Sequence, residues 1–191
     1  MWYNKDMTNK ETHNQAFIDG QNLEYSTTNA EKAWKVDLRK FRVYLERKYS
    51  VDRAYYFIGF QRDENAKIYQ EIQEAGYILI FRKHNEKMSS IKKGNVDTDI
   101  VFTVMKKIAE KEKFDKVILV SGDGDYFKMV DYLIEKDKFE RLLAPNYKRM
   151  SSLYKLFDRK YYTALNDDCV RNKIEVSGWK KHIQSKKTGI A

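Results

Sequence analysis

Cysteine occurs once in this 191-residue chain, at Cys169. That excludes an intramolecular disulfide framework and a zinc site made of cysteines alone. Histidine is scarce as well: His13, His84 and His182 are far apart and show no metal-ligand spacing, so a histidine-rich centre is not expected. No apolar run approaches the roughly 18 residues that a membrane-spanning helix needs, and the N-terminal Met-Trp-Tyr-Asn-Lys-Asp offers no apolar signal region. These absences lead us to expect a soluble, reducing, cytoplasmic setting without a membrane partner. Basic residues are in excess, with 37 Lys and Arg against 28 Asp and Glu, a formal charge of +9. A balance of this kind either draws in a polyanion or simply solubilises the protein.

The chain is organised around residues 116–127, Lys-Val-Ile-Leu-Val-Ser-Gly-Asp-Gly-Asp-Tyr-Phe. Val117 to Val120 reads as a strand buried on both faces, being β-branched or leucine throughout. Ser121-Gly122 breaks it, and Gly124 allows a tight turn, which leaves Asp123 and Asp125 on the loop at the strand's carboxyl end. Ligands bind at that edge in open α/β sheets. Paired carboxylates there suit a hard cation such as magnesium or manganese; taken alone, the same turn also reads as a helix cap.

Residues 1–14 are polar and without periodicity, so they are expected to form a flexible arm. A first strand at 15–18 runs into Asp19-Gly-Gln-Asn22, a second apolar run that ends at an aspartate and a glycine. Trp34, Leu38, Phe41, Leu45 and Tyr49 fall at helical spacing and predict one helix over 30–49. Strands are expected at 51–60 and 77–81, on either side of a helix marked by Ile68, Ile72 and Ala75 and ended by Gly76. A basic connection follows from Arg82 to Asn95, and then a helix from Val96 to about Lys111. After the 117–120 strand come a helix at 126–136, a strand at 139–144 closed by the sole proline, Pro145, a short helix at Leu153 and Leu156, and an edge strand at 161–165. The alternation predicts an α/β fold with a mainly parallel sheet, in the order 3-2-1-4-5, with helices on both faces. One domain is expected over 15–166, and a basic C-terminal appendage over 167–191. The aromatic residues Trp34, Tyr55 and Tyr161 would fill a core or cover a second copy, which leaves a homodimer open.

Helical geometry adds a further acid to the site. At about 100° per residue, Asp97 lies within about 40° of Val101, Val104 and Ile108 on the apolar stripe, whereas Asp99 lies on the opposite side. A carboxylate on the core-facing stripe is costly unless something compensates it. A metal site shared with Asp19, Asp123 and Asp125 would do so; the helix dipole is the other account. Like charges gathered this closely raise one another's pKa, a conflict that a divalent ion resolves. The chemistry expected of such an ion is phosphodiester hydrolysis, through water activation and charge neutralisation.

The motifs 17–23 (Phe-Ile-Asp-Gly-Gln-Asn-Leu), 93–97 (Lys-Gly-Asn-Val-Asp) and 119–126 (Leu-Val-Ser-Gly-Asp-Gly-Asp-Tyr) resemble those of NYN domains in the PIN-like nuclease superfamily, in its LabA or DUF88 branch. The resemblance spans about 16–165. It implies a PIN-like three-layer α/β/α sandwich and a magnesium- or manganese-dependent ribonuclease, with Asp19, Asp97, Asp123 and Asp125 as catalytic, metal-binding acids. It also places Asn22 and Ser121 at the motif asparagine and serine, where each either contacts substrate or ties its loop. Two positions depart from the pattern: Thr103 stands where many members carry another acid, and Lys128 where they carry proline.

Among the basic residues of the 82–95 connection, Arg82, Lys83, Lys92 and Lys93 are candidates for gripping phosphates, and Tyr25, Tyr126 and Phe127 for stacking on bases, although Phe127 reads better as a core residue. The leading expectation is therefore an endoribonuclease, with RNA favoured over DNA. The alternative is a catalytically weak or inactive RNA-binding or regulatory module, and a small-molecule phosphohydrolase using the same acids is a third reading.

Overall fold

The structure is a computed structural model and describes residues 12–59, 61–82 and 96–180. Its centre is a six-stranded sheet in the order β3-β2-β1-β4-β5-β6, and every neighbouring pair is parallel. The strands are β1 (Asn14–Asp19), β2 (Val51–Ile58), β3 (Ile78–Phe81), β4 (Val117–Val120), β5 (Phe139–Ala144) and β6 (Tyr162–Ala164). The helices are α1 (Gly20–Thr28), α2 (Leu38–Tyr49), α3 (Ala66–Glu74), α4 (Val96–Ala109), α5 (Phe127–Glu135) and α6 (Asp168–Ile174).

Strand side chains alternate between two cores. Ala16, Ile18, Ile118 and Val120 pack with α2, α3 and α6 on one face. Phe17, Val117 and Leu119 pack with α4 and α5 on the other. Helices on both faces explain why β1 and β4 show no polar alternation. The expected order 3-2-1-4-5 is present, with β6 added beside β5. Trp34 and Tyr55 are core residues, while Tyr161 is half-buried.

Four local expectations are corrected. The helix expected over 30–49 begins only at Leu38, where the Asp37 carboxylate accepts from the Lys40 N–H at 3.0 Å. Before it, Val36 forms an isolated antiparallel bridge with Glu175, and Trp34 reaches the core from irregular chain rather than from a helix. The residues after Asp19 form a separate helix, α1, that apolar spacing did not indicate. In α3 the buried side chains are Tyr69 and Ile72, while Ile68 is exposed. In the 3-10 helix Ser152–Leu156 the buried residue is Tyr154, with Leu153 and Leu156 outside.

The fold also continues past residue 166. α6 buries Val170 and Ile174 in the same core as Phe41 and Leu45, and the Asp37 N–H donates to the Ile174 carbonyl at 2.7 Å. Among the described residues no helix is long and apolar enough to cross a membrane.

Candidate metal centre

β1 and β4 are neighbours, with Ile18 opposite Val120, so both deliver their next residues to the same sheet edge. Asp19 ends β1 and caps α1, its Oδ1 accepting from the Asn22 N–H at 2.9 Å. Asp123 starts a 3-10 turn, Gly124–Tyr126, and its Oδ1 accepts from the Asp125 N–H at 3.1 Å. Asp97 sits in the first turn of α4 and is buried, at 9% exposure. Carboxylate oxygens of Asp97, Asp123 and Asp125 lie within 4.8 Å of one another. Asp97 is buried, Asp123 half-buried and Asp125 exposed, so the group opens to solvent on one side. A cleft of about 280 Å³ lies in front of it, lined by Asp19, Asn22, Tyr25, Asp97 and Asp123 among others.

Asp19 is not one of the three converging acids, and Tyr126 supplies its link to them. The Tyr126 hydroxyl donates to Asp97 Oδ1 at 2.5 Å and lies 3.1 Å from Asp19 Oδ2. A phenol has one proton, which cannot serve two ionised carboxylates at once. Burial pushes the Asp19 carboxyl up to about 6; Asp97 and Asp123 add to the rise, while the Asn22 N–H and the Tyr126 hydroxyl oppose it. Burial, with Asp19 and Asp97 alongside, also raises the Tyr126 phenol far above its ordinary range, so it remains a donor. Above pH 6 the Asp19 carboxyl is ionised while buried beside Asp97 and Asp123. All-oxygen donors at this spacing fit a hard divalent cation.

The loop that carries Asp123 is held from several sides. Asn22 Oδ1 accepts from the Gly122 N–H at 3.0 Å, joining α1 to the end of β4. Ser121 is fully buried, and its Oγ accepts from the Asp123 N–H at 3.1 Å, a bond that shapes the loop. The Tyr154 hydroxyl donates to the Asp123 carbonyl, and the Ser151 N–H to the Gly122 carbonyl at 2.9 Å. Local pattern gave no sign of Tyr154 or Ser151, because they reach the loop only through the packing of the chain after β5.

The remaining candidates separate clearly. Tyr126 is fully buried among the acids and Phe127 stacks on Phe157, so neither offers a face to a base. Tyr25 is 60% exposed at the cleft, with the Arg149 guanidinium 5.1 Å from its ring centroid. Arg82 follows β3 and is half-buried; β3 lies two strands from β1 along the same edge, roughly 10 Å across. Lys83, Lys92 and Lys93 lie outside the described residues. Asp99 is half-buried rather than on an open solvent face. Thr103 is no substitute ligand, since its hydroxyl donates to the Asp99 carbonyl at 2.7 Å.

The low amplitude and bright protein LabA of Synechococcus elongatus is 24% identical over 168 residues, covering 83% of this chain and 86% of that one. A Vibrio parahaemolyticus crystal structure, described as a protein of unknown function, superimposes with a TM-score of 0.68 at 19% identity, covering 88% of this chain and 99% of that one; this likeness is one of fold. The NYN domain model matches residues 15–165, from β1 through β6. The chain therefore belongs to the NYN domain family, within the PIN-like nuclease superfamily.

Proposed function

We propose that this protein is a divalent-metal-dependent endoribonuclease that acts in the cytoplasm and hydrolyses RNA phosphodiester bonds at the Asp97, Asp123 and Asp125 cluster. The observation that carries the reading is the convergence of three carboxylates from α4 and the β4 loop within 4.8 Å, beside a buried Asp19 at the end of β1. Magnesium or manganese bound there would supply water activation and charge neutralisation at the phosphate. Asp97 and Asp123 would hold the ion and Asp125 would complete its ligands from the solvent side. Tyr126 fixes the Asp97 carboxylate, and Asn22 keeps the β4 loop against α1. The net charge of +9 favours encounter with a polyanion. The preference for RNA over DNA follows the family.

Asp123→Asn tests the assignment. Asparagine keeps the oxygen that accepts from the Asp125 N–H, so the turn should persist and far-ultraviolet circular dichroism should not change. Magnesium- or manganese-dependent cleavage of RNA should vanish; cleavage at the parent rate would reject the site.

A second reading has its own observation. Because Thr103 is tied to the backbone, the cluster has three converging acids and no fourth from α4, which suits RNA binding with weak or no turnover. On that reading the parent protein binds RNA in a salt-sensitive way, and metal adds no cleavage.

A further inference from the structure

A second cavity adjoins the acidic cleft. Its volume is about 460 Å³, within the roughly 300–1,000 Å³ of small-ligand sites, and it shares Gln21, Tyr25 and Val96 with the cleft. Tyr25, Tyr69 and Ile68 give it aromatic and apolar wall, while Gln21, Asn65 and Tyr56 add amide and phenol groups. Its charged residues do not form an anion site: Glu24 would repel a phosphate, and Arg62 is an exposed side chain that also faces Glu64 at 3.5 Å. Tyr69 is held in place by its hydroxyl, which accepts from the Arg62 N–H at 3.0 Å. At the junction of the two cavities stands Tyr25, an exposed ring beside the Arg149 guanidinium, which itself donates to the Asn29 carbonyl at 2.6 Å. Flat, neutral and edged with hydrogen-bonding groups describes a nucleobase.

We propose that this cavity is a nucleobase subsite, receiving one unpaired base of a strand whose backbone crosses the acidic cleft. The identity of the strand rests on the nuclease reading. A base enters such a pocket only when it is out of the duplex stack, so the preferred partner is single-stranded.

Binding in EDTA tests this without turnover, and the failure of either reading is then separately visible. Fluorescein-labelled oligonucleotides, as RNA and as DNA, are titrated by anisotropy, intact or with one abasic residue placed at each position in turn. For the parent protein, an abasic residue at one position should weaken binding about tenfold in at least one of the two strands. A hairpin duplex should bind less well than the open strand. Ile68 is exposed, so Ile68→Arg should fold normally, fill the cavity and add a positive charge. The variant should bind the intact strand about tenfold less tightly and show no further loss with the abasic strand. Equal binding of every abasic strand would overturn the proposal. So would tighter binding by Ile68→Arg, which would mean that charge alone governs affinity. A nucleoside monophosphate that competes as well as the intact strand would also overturn it, because the cavity would then serve a free nucleotide.

Discussion

Burial of the Asp19 carboxyl, with Asp97 and Asp123 nearby, sets a pH dependence that the Asn22 N–H and the Tyr126 hydroxyl only partly offset. The folded protein raises this carboxyl from 3.8 to about 6, so it binds the proton more tightly than the unfolded chain does. The stability that the Asp19 proton contributes in EDTA should therefore be complete below about pH 4 and be lost as pH rises through 6. At about 1.4 kcal/mol per pH unit the loss is about 3 kcal/mol. Asp19→Asn removes the titration and keeps an effective cap for α1, since asparagine and aspartate serve that position equally. Urea unfolding in EDTA at pH 4, 6 and 8 should find the variant close to the parent at pH 4 and more stable at pH 8. Parallel pH profiles for the two proteins would show that Asp19 is not strained. At this scale Asp97 was legible, because helical phase is a local rule and put it on the buried stripe. Tyr126 was misjudged as a stacking residue, because it meets Asp19 across 107 positions and no spacing encodes that contact.

Gly20 shows how closely the elements fit around the site. It opens α1 immediately after Asp19, and a Cβ there would lie 2.2 Å from Tyr56 Cε1 and 2.8 Å from the Phe57 carbonyl oxygen. The tyrosine ring could turn aside, but the carbonyl belongs to β2 and is held by its place in the sheet. Gly20→Ala should therefore cost about 1–3 kcal/mol and push Asp19 away from Tyr126, lowering any metal-dependent activity as well. Gly59→Ala is the matched comparison: among the described residues a Cβ there meets nothing within 4 Å, and the change should stay within about 0.5 kcal/mol. Denaturant midpoints for the pair decide the matter, and equal midpoints would mean that α1 does not sit tightly on β2. The strands and their order were legible from sequence, since a doubly covered parallel sheet leaves continuous apolar runs. The division between α1 and α2 was not. Trp34 falls at helical spacing with Leu38 yet is buried from irregular chain, its backbone N–H donating to the Thr27 carbonyl at 3.2 Å. The three-residue repeat of Ser152–Leu156 likewise hid Tyr154 between two exposed leucines.

For the molecule as a whole, an acidic cluster inside a chain of net charge +9 separates two salt effects that would otherwise merge. A divalent ion that binds only the folded state stabilises it by mass action, about 2.7 kcal/mol at a hundred times its dissociation constant. Bulk screening works on the remaining surface charge, extends only about 10 Å at 0.1 M, and is the same for any salt of equal ionic strength. Manganese or magnesium chloride at pH 8 should therefore raise the unfolding midpoint above that found in sodium chloride of matched ionic strength, and EDTA should restore the lower value. Because the ion also relieves the repulsion that Asp97 and Asp123 exert on the ionised Asp19 carboxylate, the gain should shrink toward pH 5, where Asp19 is protonated. Asp123→Asn should abolish most of the gain while responding to sodium chloride as the parent does. Identical midpoints in divalent and monovalent salt would mean that the three carboxylates converge without binding a metal, and would leave the salt-sensitive binding module as the function to pursue.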